Sequence, residues 1–351
     1  MPPDPESYLR VALAWHFGAD TGSPFWLRMA TRLDFDPLSD IRTYHDLRMF
    51  PNFVDELRDV PVGDLVPRGY GRPSPIPRVF ESGGTTGTPK RTAQLPDWLE
   101  QVTRWQVEDF TAGGFVPGAG LLCMVPSGPH GVGYFDRVVA ERLGSMCYAI
   151  DLDPRWVKKV AARGDRRAVA AVTEYVGHVL EQARHLLESQ RVGNLHATPP
   201  LLEAIANDDH LIELVNRRIR YILLSGAHVD VDTMDLFRGI FPDSAIAIAF
   251  GSTMILSQAA TRTDGESVVF DPRSPYVVFW VVDPATGEQV PYGERGQVVM
   301  NHISKGMFIP NNLERDTALR IPGRDGQIGD SVSEVAPVPV FDGERVIEGV
   351  Y

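Results

Sequence analysis

The sequence predicts an α/β protein with a mainly parallel sheet, followed by a β-rich subdomain. Three observations lead there. From Arg78 onward, short apolar runs alternate with longer helical patterns, and beyond Thr261 strands alone remain. The 351 residues are ample chain for two or three units, each with its own core.

Residues 1–77 mix short helical patterns, at 7–17, 24–33 and 44–57, with a Pro/Gly-rich exit at 69–77, and read as an accessory helical region. Residues 78–260 carry strand-like runs at 121–125, 145–150, 221–225 and 245–250, with helical stretches at 97–112, 168–190 and 231–241 between them. Strand and helix repeated in this way call for parallel pairing, because a crossover helix returns the chain to start the next strand in the same direction. Residues 261–351 form the β-rich subdomain: SVVFD, YVVFWVVD and QVVMNHI are separated by the turn segments DPRSP, DPATGE and PYGERG.

Composition narrows the function. An apolar fraction of 43% with 23% charged residues is that of a folded protein, which excludes a disordered or fibrous chain. Lys and Arg number 34 against 46 Asp and Glu, and a net charge of −12 repels a polyphosphate backbone, so nucleic acid is not expected as a partner. Cys123 and Cys147 are too few for a disulfide scaffold; a cytoplasmic protein is expected, and no thiol chemistry is implied. The acidic N-terminus, interrupted by His16, does not read as an export signal. The quietest apolar window, 245–260, contains Gly251, Ser252, Thr253, Ser257 and Gln258 and falls short of a membrane span of roughly 20 residues, so no membrane partner is expected.

The most informative segment is Ser82-Gly83-Gly84-Thr85-Thr86-Gly87-Thr88-Pro89-Lys90, which follows a short strand. Glycines let backbone N–H groups approach an anion, hydroxyls donate to phosphate oxygens, and lysine adds positive charge. Such a loop suits a phosphate. It is not a Walker loop, which needs glycine directly before the lysine, where Pro89 stands.

On these residues the chain resembles the adenylate-forming superfamily of acyl- and aryl-CoA ligases, adenylation domains and luciferases, whose phosphate loop matches residues 82–90 throughout. Leu224-Ser225-Gly226-Ala227, Phe250-Gly251-Ser252-Thr253, Val282 to Glu288 and Gly293 to Val299 resemble further family segments in the same order. The resemblance runs from about Arg78 to Ile328 and implies the large N-terminal core of that fold. It further implies ATP as cosubstrate, with Ser82, Gly84, Thr85, Thr86, Gly87 and Lys90 at the phosphates. Gly226 and Ala227 would flank the adenine, Phe250 would cover it, and Gly251 and Ser252 would lie near its edge. Thr253 would hold the α-phosphate, so that Lys90, Thr253 and Thr85 carry the chemistry. His130 and Gly131, after the strand at 121–125, would meet the carboxylic acid substrate. Thr198-Pro199-Pro200 resembles a family turn before a core helix.

The departures are equally informative. Where the family has a glutamate for Mg²⁺, this chain has Met254, a thioether with little affinity for a hard cation. The family's ribose-binding aspartate has two equivalents, Asp316 in Leu-Glu-Arg-Asp and Asp330 in Ile-Gly-Asp, and spacing from Gly296 favours Asp316. The mobile C-terminal domain of the family is expected to be absent, since the sequence stops at Tyr351, no lysine follows Lys305, and Gly323 to Ile328 reads equally as a hinge segment or a surface turn. In style the chain is nearest the phenylacetate-CoA-ligase-like branch, and in length and layout it is nearest the shortened adenylating proteins that tailor phenazine carboxylates. The expected function is ATP-dependent conversion of a carboxylic acid, expected to be aromatic, to acyl-AMP in secondary-metabolite (antibiotic) biosynthesis, with a separate acceptor enzyme taking the acyl group. The alternative is an accessory subunit that binds nucleotide or acid without efficient turnover.

Overall fold

The computed structural model describes residues 4–83, 88–265 and 267–338, and the backbone of 340–341 and 344–345. In chain order, helices α1 (Pro5–Phe17) and α2 (Pro24–Ala30) precede the hairpin β1 (Arg78–Glu81) and β2 (Arg91–Gln94) and the helix α3 (Pro96–Gly113). Next come β3 (Gly120–Met124), α4 (Gly131–Arg142), β4 (Cys147–Ala149), α5 (Pro154–Ala161), α6 (Arg166–Ser189) and β5 (Val192–Ala197). They are followed by α7 (Pro199–Ala206), α8 (Asp209–Arg218), β6 (Tyr221–Leu224), α9 (Val231–Ile240) and β7 (Ala245–Ile248). A small hairpin, β8 (Gly251–Ser252) and β9 (Ser257–Gln258), leads to β10 (Ala260–Asp264), β11 (Ser267–Asp271) and β12 (Val277–Val282). The long strands β13 (Arg295–Ile303) and β14 (Phe308–Ile321) and then β15 (Ser331–Pro337) follow.

The described residues divide into two compact units, one within 4–82, 88–102 and 251–341, the other within 83 and 103–250. This grouping cuts across the sequence partition at 77/78 and 260/261, because the first helices pack onto the β-rich sheet.

The second unit is built on a parallel sheet in the order β4-β3-β5-β6-β7. Its strands have two unlike faces. Leu122, Met124, Leu195, Ala197, Ile222 and Leu224 pack with Val179 and Ala183 of α6, Leu201 and Leu202 of α7, and Phe237 of α9 in a dry core. On the opposite face, Leu121, Tyr221 and Leu223 meet Phe110 of α3 and Val139 and Ala140 of α4. The central strand β5 puts Asn194 and His196 on that second side, both buried. Asn194 is satisfied by the chain entering β3: Nδ2 donates to the carbonyls of Val116 and Ala119 at 3.1 Å, and Oδ1 accepts from Val116 N–H at 2.8 Å. Aspartates start the helices, with Asp153, Asp165, Asp208 and Asp230 accepting from first-turn amides of α5, α6, α8 and α9. Part of the acidic excess is therefore spent on N-caps, each worth about 1 kcal/mol.

The first unit carries the antiparallel sheet β10-β11-β15-β14-β13-β12. Helices α1 and α2 dock on it through Tyr8 Oη to the Ile303 carbonyl at 2.8 Å and Trp26 Nε1 to the Phe308 carbonyl at 3.1 Å. Phe17, Trp26, Phe50 and Phe308 stack around these bonds with ring centroids 5.1–5.8 Å apart. The single helix expected at 44–57 is instead two short 3₁₀ helices, Tyr44–Met49 and Val54–Arg58. Phe50 between them is extended, at φ −69° and ψ 137°, because it precedes Pro51. No helix among the described residues is long and apolar enough to cross a membrane.

Two buried histidines fasten this docking. His16 Nε2 donates to the Ser304 carbonyl at 2.7 Å, while His302 Nδ1 donates to the Ile255 carbonyl and its Nε2 accepts from Ser304 Oγ, each at 2.8 Å. Burial pushes His16 down to about 4 and His302 to about 3, so both rings are neutral. The unfolded chain binds these protons near the ordinary value of 6.5, so their contribution is complete above that pH and is lost as pH falls through it toward the folded values. The thermal unfolding midpoint is therefore expected to be flat above about pH 7 and to decline already between about pH 6.5 and 5, before carboxylates titrate. Calorimetry across that window checks this, and a flat midpoint down to pH 5 contradicts it.

Candidate active site

Strands β1 and β2 pair antiparallel up to Glu81 opposite Arg91, so residues 82–90 are the loop of a hairpin. Its base is closed twice: Ser82 N–H donates to the Lys90 carbonyl at 2.9 Å, and Lys90 N–H donates to Ser82 Oγ at 3.0 Å. The Ser82 hydroxyl thus helps to shape the loop. Lys90 Nζ lies 3.1 Å from Asp55 Oδ1, with its side chain only 16% exposed. Arg58 bonds the same carboxylate at 3.0 Å and also donates to the Thr88 carbonyl. Burial alone would raise the Asp55 carboxyl, but hydrogen bonding and charge from Lys90 and Arg58 outweigh it and hold it below the usual carboxylate range. An acidic latch therefore grips the exit of the loop. Gly84, Thr85, Thr86 and Gly87 lie outside the described residues.

In the same unit, Gly251 and Ser252 form β8, and Thr253 and Met254 occupy the turn toward β9. Met254 is buried, its amide donating to Ser252 Oγ at 3.1 Å. A thioether in this position does not fit a hard cation. A carboxylate does stand against the turn, supplied by another strand. Glu314 Oε1 accepts from Ser252 Oγ and from Asn312 Nδ2, both at 2.7 Å. Among the described residues no cluster of three or more His, Cys, Asp or Glu is arranged for a metal, so a cation here would draw on one carboxylate and on ligand oxygens.

Glu314 reaches that turn because β14 bulges. Gln297 of β13 faces Thr317 and Val299 faces Leu313, which leaves Glu314, Arg315 and Asp316 against the single residue Val298. The Gln297 side-chain amide repairs the broken ladder by donating to the Glu314 carbonyl at 2.6 Å. Bulges of this kind re-aim side chains next to functional sites. The string Leu-Glu-Arg-Asp points to Asp316, whereas the acid that meets the turn is Glu314. The available signal was a second acid two residues upstream, on the strand face that Asp316 also shares in a regular strand.

The two candidate ribose aspartates differ in kind. Asp330 is 1% exposed, and its carboxylate accepts from Arg320 Nε at 2.8 Å and from Val281 N–H at 3.1 Å. Burial raises its carboxyl despite the arginine. Gly329 before it has φ +81°, and a Cβ there would lie 2.5 Å from the Phe279 carbonyl oxygen. Asp330 is thus committed to the sheet, whereas Asp316 sits half-buried in the bulge.

In the other unit, the strand-end segments lie at the carboxyl edge of the parallel sheet, where open α/β sheets bind ligands. His130 is the N-cap residue of α4 and Gly131 its first residue, and both are half-buried. Thr198 follows β5, Ser225, Gly226 and Ala227 follow β6, and Phe250 follows β7. The register, with Met124 beside Ala197, Ala197 beside Leu224 and Leu224 beside Ile248, puts these segments at one end of the sheet. Gly226, at φ +86°, makes the turn that L side chains disfavour.

No family model matches the chain. Among curated proteins, 4-coumarate–CoA ligase-like 9 of Arabidopsis thaliana is 28% identical over 123 residues, which is 34% of this chain. The matched part spans 22% of that relative's length. Among solved structures, 2-hydroxyisobutyryl-CoA ligase in the postadenylation state, in complex with 2-HIB-AMP, superposes with a TM-score of 0.64 at 15% identity, covering 99% of this chain and 70% of the ligase. The open conformation of the same ligase, with 2-HIB-AMP and CoA, gives 0.62 at 14% identity over 94% of this chain and 67% of the ligase. Likeness at this identity is one of fold.

The contrast between the aspartates is measurable. Asp330→Ala leaves Arg320 without its buried partner and is expected to cost about 3–5 kcal/mol in urea unfolding. Asp316→Ala is expected to cost under about 1 kcal/mol. Equal losses for the two variants would contradict the division of roles.

Proposed function

We propose that this chain, which has the fold of the N-terminal core of the adenylate-forming enzymes, joins a carboxylic acid to ATP as acyl-AMP and releases pyrophosphate. The observation that supports this most is the hairpin loop from Ser82 to Lys90, closed at its base and carrying a lysine at its exit. In this reading the carboxylate oxygen attacks the α-phosphorus and pyrophosphate leaves in line. Lys90, with Thr85, Thr86 and the loop amides, offsets charge on the phosphates, and catalysis is positional and electrostatic. Thr253 holds the α-phosphate, and Asp316 holds the ribose. Gly226, Ala227 and Phe250 enclose the adenine, with Ser252 at its edge. His130 and Gly131 receive the acid, which is proposed to be aromatic and to belong to secondary metabolism, with a separate enzyme as acyl acceptor.

Because Asp55 grips Lys90, nucleotide phosphates must draw the lysine away, so Asp55 tunes ATP affinity rather than the chemical step. Glu314 takes the place of the family's glutamate toward Mg²⁺, since its carboxylate meets the turn at Ser252, where residue 254 offers only a thioether. The bound ion supplies charge neutralisation at phosphate oxygens.

The test is ATP–pyrophosphate exchange across a panel of aryl and fatty acids. At least one acid is expected to support exchange, and Lys90→Ala is expected to lower it about 10²–10³-fold. Glu314→Gln is expected to raise the Mg²⁺ concentration needed for half-maximal exchange about tenfold, and also to weaken Mg²⁺-dependent ATP binding by calorimetry. Met254→Glu is expected to restore both. Exchange with no acid while ATP still binds overturns the reading. Met254 also favours a second reading, a nucleotide- or acyl-binding accessory subunit, which gains if an acid binds without ATP binding or turnover.

A further inference from the structure

One cluster of titratable and nucleophilic side chains has no part in adenylation. His196 lies on the face of β5 toward α4 and is 3% exposed. Its Nδ1 is 2.9 and 2.8 Å from the two carboxylate oxygens of Asp136 on α4, itself 2% exposed. A carboxylate can only accept, so Nδ1 carries the proton and Nε2 presents a lone pair. That lone pair lies 2.7 Å from Ser225 Oγ. Cys123 Sγ donates to Asp136 Oδ2 at 2.9 Å. Contact with Cys147, burial and the Asp136 charge push the Cys123 thiol well above its usual range, so it remains a donor. Asp136 is thereby held from two strands with its charge directed at the imidazole.

A purely structural network closes on itself inside the protein. This one runs outward, from a buried acid through a buried histidine to a half-exposed hydroxyl. The hydroxyl is the first residue after β6, at the ligand-binding edge of the sheet. The amides of Gly226 and Ala227, which follow the hydroxyl, have no hydrogen-bond partner among the described residues and are available to an oxyanion. Nucleophile, base and orienting acid stand in the order and spacing of an acyl-transfer triad.

We propose that Ser225 is an acyl-accepting nucleophile, with His196 as its base and Asp136 as the positioning residue. The donor is an activated carboxylic acid derivative, an ester or a mixed anhydride. A bond forms between Ser225 Oγ and the acyl carbon, and the bond from that carbon to the leaving oxygen breaks. The hydroxyl proton passes to His196 Nε2, the leaving group departs with the electron pair, and the imidazolium then gives that proton to the leaving oxygen or to solvent, so that Nε2 again presents a lone pair. An alcohol, thiol or amine acceptor then gives its proton to His196 and attacks the acyl-serine, and Oγ leaves and is reprotonated. Where the donor is acyl-AMP made by this chain, the proposal rests on the adenylation reading and requires the adenine to leave Gly226 and Ala227 before the acyl carbon reaches Ser225. With a synthetic ester it stands by itself.

The full chain is treated with p-nitrophenyl benzoate and, separately, with a fluorophosphonate. A burst of one p-nitrophenolate per chain and an adduct on the Ser225 peptide by mass spectrometry are expected. Ser225→Ala, at a half-exposed strand end, is expected to abolish both, and His196→Gln to slow acylation at least about 100-fold. A downfield Nδ1 proton resonance of His196 is expected in the wild type and should vanish in Asp136→Asn, a signature that packing alone would not give. No adduct on Ser225, or equal rates with His196→Gln, overturns the proposal. Neither probe needs ATP, so an adduct without pyrophosphate exchange removes only the adenylate as donor. Exchange without an adduct removes only the serine.

Discussion

A carboxylate placed inside a protein must be met by donors, and Asp136 imposes that condition on the unit around the parallel sheet. Removing an ion from water costs several kcal/mol unless partners replace the lost hydration. Those partners come from two neighbouring strands, His196 of β5 and Cys123 of β3, so α4 can dock on the sheet in one rotation only. The same requirement explains why the central strand is apolar on one face alone. Leu195 and Ala197 enter the dry core, while Asn194 and His196 turn to the side where the α3–β3 connection and α4 offer polar partners.

The β-rich unit obeys the same rule with the opposite result at two acids in one region of sheet. Asp330 is paired by Arg320 and by a backbone amide, and it locks the turn into β15. Glu314 is lifted from the ladder by a bulge and set against the β8–β9 turn, with its orphaned carbonyl capped by Gln297. A regular strand would have directed this segment by simple alternation. The bulge is what sets Glu314 against the turn at Ser252 while Asp330 stays inside the sheet, and in both places nearby polar groups match the carboxylate.

Much of this was legible in the sequence. The alternation of runs and helices fixed the α/β class, and the parallel sheet and the later strands appear where the apolar runs stand. What escaped detection shares a physical cause. The central strand β5, VGNLHA, is buried at every position, yet Gly193, Asn194 and His196 erase its apolar signature. Helix α4 begins in Gly131-Val132-Gly133, which reads as loop, and Gly133 is needed because a Cβ there would lie 2.6 Å from Ser127 Cα. The 14 residues of β14 carry Pro310, two asparagines and the charged bulge, which hide a strand. In the site, single segments were readable because their chemistry is local. Glu314 beside Ser252, Asp55 on Lys90 and the Ser225–His196–Asp136 relay are not local: they join residues 29 to 62 positions apart or on different elements, and no window along the chain contains them.

The strongly negative net charge stands against the polyphosphate proposed for the loop at 82–90, but range resolves the conflict. At physiological ionic strength, charge is screened over about 8 Å, so the 46 acids act together against an extended nucleic acid and only weakly on a small anion held in contact. At contact distance what counts is the local set, here Lys90 and Arg58 opposed by Asp55. That set keeps one net positive charge; while the latch is shut Asp55 offsets one of its two cations, and the loop meets the full charge of Lys90 only when Lys90 leaves Asp55. A small anion able to compete with one carboxylate can enter it. A long polyanion meets the repulsion of the whole surface before it reaches the loop, so selection by size follows from the charge distribution alone.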